Sequence, residues 1–246
     1  MHSKGSKLAA VRKKGATQVD AQRTNILDAA ERRFLQLGLE HTTMADIAEQ
    51  AGITRMTLYR YFRDRDTIAF EIAGRMLQRV ISINIPASGG ERDWEARLLV
   101  RLKDLALAMI RDFDALRDAY RYLGMFDRLY ADRYPTEELA TWYKQHMQAI
   151  WYERHLEGLP VSGVSEGVLA PEFPYGKHVL MTMNAVMSFL QRMAARGELM
   201  AAEQGVPLQD QLNLFDEMIG MYFDRLIASL PRTDPPTDDE DGRSRG

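Results

Sequence analysis

The tightest constraint on this chain lies between residues 43 and 62, where apolar residues keep a helical spacing but are cut by a glycine. Thr43 is a good N-cap, and Asp46, three positions on, makes a weak capping box with it. Met44, Ile47, Ala48 and Ala51 follow the i, i+3, i+4, i+7 spacing of a helix with one buried face. Gly52 then supplies a left-handed turn position that a β-carbon disfavours, and Ile53 plugs the turn. Thr54 caps a further helix, Arg55 to about Tyr61, whose inward residues are Leu58 and Phe62. Upstream, Ile26, Ala30, Phe34 and Leu37 form a stripe on a helix from about Arg23 to Leu37, which Gly38 ends.

A second helix of about two turns, a glycine turn and a capped third helix make the supersecondary unit that enters a major groove. At about 100° per residue, the direction of Leu58 and Phe62 leaves Arg60 and Met56 pointing almost directly away, with Thr57 and Tyr59 on the flanks. Arg55 sits at the helix start, where base contacts usually begin. Arginine pairs bidentately with guanine, and Thr or Met can touch a thymine methyl. Tyr59, Tyr61 and the hydroxyls of Thr43 and Thr57 suit phosphate contacts. The next helix opens at Asp64, and Arg65 in its first turn could join backbone N–H groups in holding a phosphate. The competing reading is a three-helix packing element whose arginines are simply solvated.

Charge distribution points the same way without deciding the matter. The chain is −3 overall, but residues 1–65 carry twelve Lys+Arg against seven Asp+Glu, a net of +5, which leaves −8 for the remainder. Residues 1–21, with Lys4, Lys7, Arg12, Lys13 and Lys14, read as a flexible basic arm, and the Asp- and Pro-rich residues 232–246 as a disordered acidic tail. Between them nearly everything has helical periodicity and no convincing strand alternation appears, so the expected fold is all-α. The expected division is a helix-turn-helix domain over 22–68 and a larger helical domain over 69–231. Breaks are expected at glycines and prolines, among them Gly124, Gly197 and the stretch Gly158 to Pro174, a candidate mobile gate. There is no cysteine, no apolar run long enough to span a bilayer and no apolar leader, which reads as a soluble, cytoplasmic protein without membrane contact.

The run from Arg23 to Ile68 closely resembles the DNA-binding region of the tetracycline-repressor (TetR) family. The resemblance is carried by Ile26, Ala29, Ala30, Phe34 and Gly38, by Thr43 with Ile47-Ala48, by Ala51-Gly52-Ile53, and by Thr57-Leu58-Tyr59 with Tyr61-Phe62. It implies DNA contacts from Thr43, Arg55, Met56, Thr57, Tyr59, Tyr61 and Arg65, with Ala45 facing the groove. Position 45 often holds a longer polar residue in the family, position 56 a small residue or proline, and position 65 a lysine; here they are Ala, Met and Arg. The resemblance further implies an inverted-repeat duplex operator, a homodimer and repression relieved by a small, largely apolar ligand.

Beyond residue 70 only the general helical layout is shared. Aromatic residues crowd positions 113–152, and Met is frequent, 14 in the chain. Most of these must pack a core, but an apolar ligand cavity could share them, with Tyr122, Trp142, His146, Met147 and Met183 as candidate lining residues. Two late helices are apolar on more than one face. Met183, Met187 and Leu190, with Phe215, Met218, Ile219, Tyr222 and Leu226, are candidates for a four-helix dimer seam, or for the centre of a monomer core. The usual phosphate-binding, zinc-protease and nucleophile-elbow motifs are missing, and no Glu-x-x-His pair exists. No enzyme activity, metal or cofactor is expected. The remaining alternative is a helical protein-interaction module that does not bind DNA.

Overall fold

The computed structural model describes residues 3–82, 94–151 and 176–230, with side chains from residue 18 onward. Among the described residues all regular structure is helical: α1 (Ser3–Leu37), α2 (Met44–Gln50), α3 (Arg55–Tyr61), α4 (Arg65–Ile81), α5 (Trp94–Arg111), α6 (Phe113–Leu129), α7 (Glu137–Trp151), α8 (Gly176–Gln204) and α9 (Leu208–Ala228). The all-α expectation is met. The readings placed on 152–175, the candidate gate included, and on the acidic tail lie outside the described residues.

α2 packs on α1 and α3, and α1 on α4, to form a head. Ile26, Ala30 and Phe34 of α1 are fully buried with Ile47, Leu58 and Ile68. Gly38, at φ 87°, ends α1 in the left-handed region, and Thr42 folds the following loop back by donating its hydroxyl to the Gly38 carbonyl at 2.8 Å. α4 then leaves the head. It buries residues on every side, from Ile68 and Phe70 to Val80 and Ile81, because it touches α1 on one side and α5, α6 and α7 on the others. The expected division at residues 68–69 therefore falls inside a continuous helix. In the body α6 packs on α8 and α5 on α9.

Two sequence expectations change. α1 does not begin near Arg23; residues 3–21, read as a flexible arm, continue it. That segment has no proline and carries four Ala and four Lys, and it extends a helix already nucleated and held by packing further on. Gly124 and Gly197 are not breaks, since α6 and α8 run through them. They mark close approaches instead: a β-carbon at Gly124 would stand 3.4 Å from Gln191 Cβ, and one at Gly197 only 2.8 Å from Leu208 at the start of α9.

The packing predicts where truncation hurts most. Phe34 is wholly buried and meets Tyr122 edge-on at 6.1 Å, joining the head to α6. Phe34→Ala should cost about 3–5 kcal/mol, the usual range for emptying a buried aromatic site. Denaturant melts followed by circular dichroism check this; a loss below about 1 kcal/mol would place Phe34 outside the core.

Candidate nucleic-acid interface

The frame of the helix-turn-helix is built from local hydrogen bonds. The Thr43 backbone N–H donates to the Asp46 carboxylate at 2.8 Å, and the Asp46 N–H donates back to the Thr43 hydroxyl at 3.3 Å, completing the capping box. The Thr43 side-chain and backbone hydrogen bonds hold the Asp46 carboxyl below the ordinary aspartate value, assisted by Arg33 and Arg55. α2 buries Ile47 and Ala48. At its end Gly52 takes φ 66°, and the Ile53 N–H reaches the Ala48 carbonyl at 3.0 Å, a Schellman-type closure. Asn25 of α1 ties the turn down by donating to the Ala51 carbonyl at 3.2 Å. Thr54 then caps α3 by accepting from the Thr57 N–H at 3.1 Å.

α3 is held from one side only. Leu58 is fully buried, and Phe62, at its end, lies under the Arg23 guanidinium 4.4 Å from the ring centroid. The opposite face is open. Met56 is 80% exposed and Tyr59 55%, uncommon values for large apolar side chains. Arg55 and Arg60 are exposed and have no hydrogen-bond or ion-pair partner among the described residues. A rigid helix thus presents two unpaired guanidinium groups, a bare thioether and a phenol on one surface. Thr43 is exposed beside this face, whereas Ala45, Thr57 and Tyr61 are half-buried; the Thr57 hydroxyl lies 3.0 Å from that of Thr54, and Tyr61 packs on the core.

Arg65 has a different task from the one its position suggested. Its guanidinium turns inward and donates to the carbonyls of Leu39 and Glu40 at 3.1 and 3.2 Å, clamping the α1–α2 loop onto α4. Nothing in the spacing of the sequence distinguishes an inward arginine at a helix start from one facing a phosphate. The exposed cation at this corner is Arg63, which pairs with Asp64 at 2.9 Å.

The candidate ligand residues separate into two sets. Trp142 and His146 stack in parallel on α7, 4.9 Å apart, and Met147 is half-buried beside the core. Tyr122 is fully buried and donates its hydroxyl to the Ala69 carbonyl at 2.9 Å, so it is a packing strut between α6 and α4. Met183 is also buried in the core. The candidate seam residues separate too. Met183, Leu190, Ile219 and Leu226 belong to the chain's own core, because their faces of α8 and α9 turn toward α5, α6 and each other. Met218 is 60% exposed, Tyr222 is exposed, and Met187 and Phe215 are half-buried. The periodicity places Leu214 with Met218 on a second stripe of α9 and does not single out Met221, which shares that exposed face. No group of three or more potential metal-ligating side chains occurs among the described residues, and no helix of the described residues is long and apolar enough to cross a membrane.

Residues 26–72 match the family model of bacterial regulatory proteins of the tetR family. The HTH-type transcriptional regulator TtgR of Pseudomonas putida is 47% identical over 51 residues, which cover 20% of this chain and 24% of TtgR. The uncharacterized HTH-type transcriptional regulator TtgW of the same species is 32% identical over 92 residues, covering 37% of this chain and 67% of TtgW. The chain spans about a quarter to a half of the length of the other curated relatives considered, TtgR at the lower end. Among solved structures, a TetR family transcription regulator from Marinobacter aquaeolei has the same fold, with a TM-score of 0.51 at 19% identity over 87% of this chain and 97% of that one. The chain belongs to the tetR family of bacterial regulatory proteins.

Thr54→Ala removes the oxygen that anchors the first turn of α3 and should cost about 0.5–2 kcal/mol. Thermal melts check the figure, and a variant as stable as the parent would mean the cap is not used.

Proposed function

We propose that the protein is a cytoplasmic, homodimeric repressor that holds an inverted-repeat duplex operator through α2 and α3 and is released by a small molecule bound in the body. The observation that carries this reading is the open face of α3. Exposed guanidinium groups without partners cost little in water but are of use only to a partner with acceptors, and an exposed thioether beside them suits a base methyl. Arg55 and Arg60 are the base readers, and Met56 makes the apolar contact. Thr43, Thr57, Tyr59 and Tyr61 hold phosphates, while Ala45 lets α2 lie close to the groove. Arg65 contributes by fixing the loop before Thr43.

The dimer is proposed on the face of α8 and α9 that the protomer leaves open. Leu214, Met218 and Met221 follow one stripe of α9, and Met181 is 65% exposed on α8. His178 and Tyr222 join the two helices on this side, with the His178 Nδ1 and the tyrosine hydroxyl 2.8 Å apart. An apolar surface of this kind on two packed helices marks an association site.

Two tests follow. Arg60→Ala should keep normal helicity and lose about 1–3 kcal/mol of binding at one base position of the half-site. Tyr59→Phe should weaken binding evenly across sequences. Unchanged affinity in both variants would overturn the placement of α3 on DNA. For the seam, Met218→Lys should give a folded monomer that binds DNA poorly. Ile219→Lys, one position away but buried, should unfold the chain, because an unpaired interior charge costs several kcal/mol. Light scattering with circular dichroism separates these outcomes, and a stable Met218→Lys dimer would contradict the proposed seam.

A further inference from the structure

A cleft of about 360 Å³ opens between the start of α4 and the start of α7, lined by Arg63, Thr67, Glu71, Glu138, Leu139 and Trp142. Its size falls in the range, roughly 300–1,000 Å³, of sites for small organic molecules. Its floor is firm: Trp142 is backed by the His146 ring, and His146 is seated on α4 at Gly74, where a β-carbon would come within 2.8 Å of the imidazole.

The polar groups of the cleft are unequally used. Its donors are only partly used. The Thr67 hydroxyl donates to Asp64 at 2.7 Å, and Arg63 donates from Nε to Asp64 at 2.9 Å while its Nη1 lies 3.6 Å from Glu138. Its acceptors are open. Glu71 receives Arg23 on Oε1 at 2.5 Å, and its Oε2 accepts no hydrogen bond among the described residues. The Glu138 side chain is 82% exposed and has only the long contact to Arg63. Burial raises the Glu71 carboxyl above its usual value in spite of Arg23 and Arg75, so this carboxylate is short of compensating charge.

We propose that this cleft binds a flat organic cation, stacked on Trp142 and held by the carboxylates of Glu71 and Glu138. A cation over an indole gains from the ring quadrupole, and charge-assisted bonds to two carboxylates fix its orientation. An anion would meet the repulsion of both carboxylates. The entering cation takes the place of the Arg63 guanidinium beside Glu138, and Arg63 keeps Asp64. Arg63 is the second residue past α3, so this exchange occurs next to the helix assigned to DNA. That last consequence rests on the regulatory reading above; the binding itself does not.

The test is calorimetric titration of the full chain without DNA, using 1-methyl-4-phenylpyridinium as the cation, 4-phenylpyridine at about pH 8 as its neutral counterpart and 4-phenylbenzoate as the anion. The cation is expected to saturate one site per chain, the neutral compound to bind at least about tenfold more weakly, and the anion not to bind. Glu138→Gln and Trp142→Leu, with folding checked by circular dichroism, are each expected to weaken the cation about tenfold. Equal affinity for cation and neutral compound, a preference for the anion, or unchanged cation affinity in both variants would overturn the proposal. Cation binding at this site with no effect on affinity for duplex DNA would leave the cleft assigned and count instead against release by a ligand.

Discussion

Phe70, in the middle of α4, is wholly buried among four aromatic rings: Phe126 and Tyr130 at 4.8 and 4.9 Å, Tyr143 at 5.5 Å and Tyr134 at 5.9 Å. Edge-on contacts of this kind fix orientation as well as burying area. They lock α4 to α6 and α7, while on the other side of the helix three ion pairs lace it to α1: Arg23 with Glu71, Arg75 with Asp28 and Arg79 with Glu31. These pairs are partly exposed, so each contributes little energy. Their effect is positional, since they set the rotation of α4 against the head. Head and body therefore share α4, which packs on both.

The hydrogen bonds at the start of α4 show how that coupling reaches the proposed DNA face. The Tyr130 hydroxyl donates to Asp66 at 2.9 Å, Tyr122 donates to the Ala69 carbonyl, and Arg65 clamps the loop that leads into the Thr43 cap. The two tyrosines tie α6 to the first turns of α4, through the Asp66 carboxylate and the Ala69 carbonyl, and Arg65 ties α4 to the loop before α2. On the proposed function, a displacement of α6 would pass to α4 and the loop before α2 by these contacts, and a molecule that binds one arrangement more tightly than the other would bias the pair of states. The cleft at Glu71 and Glu138 adjoins the same junction.

The head was legible in the sequence because its structure is set locally. The Thr43–Asp46 box, the left-handed Gly38 and Gly52, the Thr54 cap and the inward Leu58 each follow from residue type and spacing, and the expected bounds of α3 match those found. The expected opening of α4 at Asp64 matches too, Asp64 being its N-cap. What spacing could not supply was the partner of each face. α9 has apolar residues around much of its circumference, and only the packed structure separates Ile219, inside, from Met218, outside. The same blindness gave Gly197 the look of a break when it is a site of close approach, and gave Tyr122 the look of a cavity wall when its hydroxyl is already bonded. Glu71 and Glu138 are 67 residues apart in sequence and meet across a cleft only because α7 folds back on α4.

The central claim is that two copies of α3 read duplex DNA together. Selection of bound sites from a random duplex library tests it most directly. The account predicts that an inverted repeat is enriched, with half-site centres about one helical turn, roughly 34 Å, apart or at a multiple of that spacing, and with affinity that falls steeply as salt rises. Enrichment of no sequence, or of a single unrepeated site bound by one chain, would contradict it.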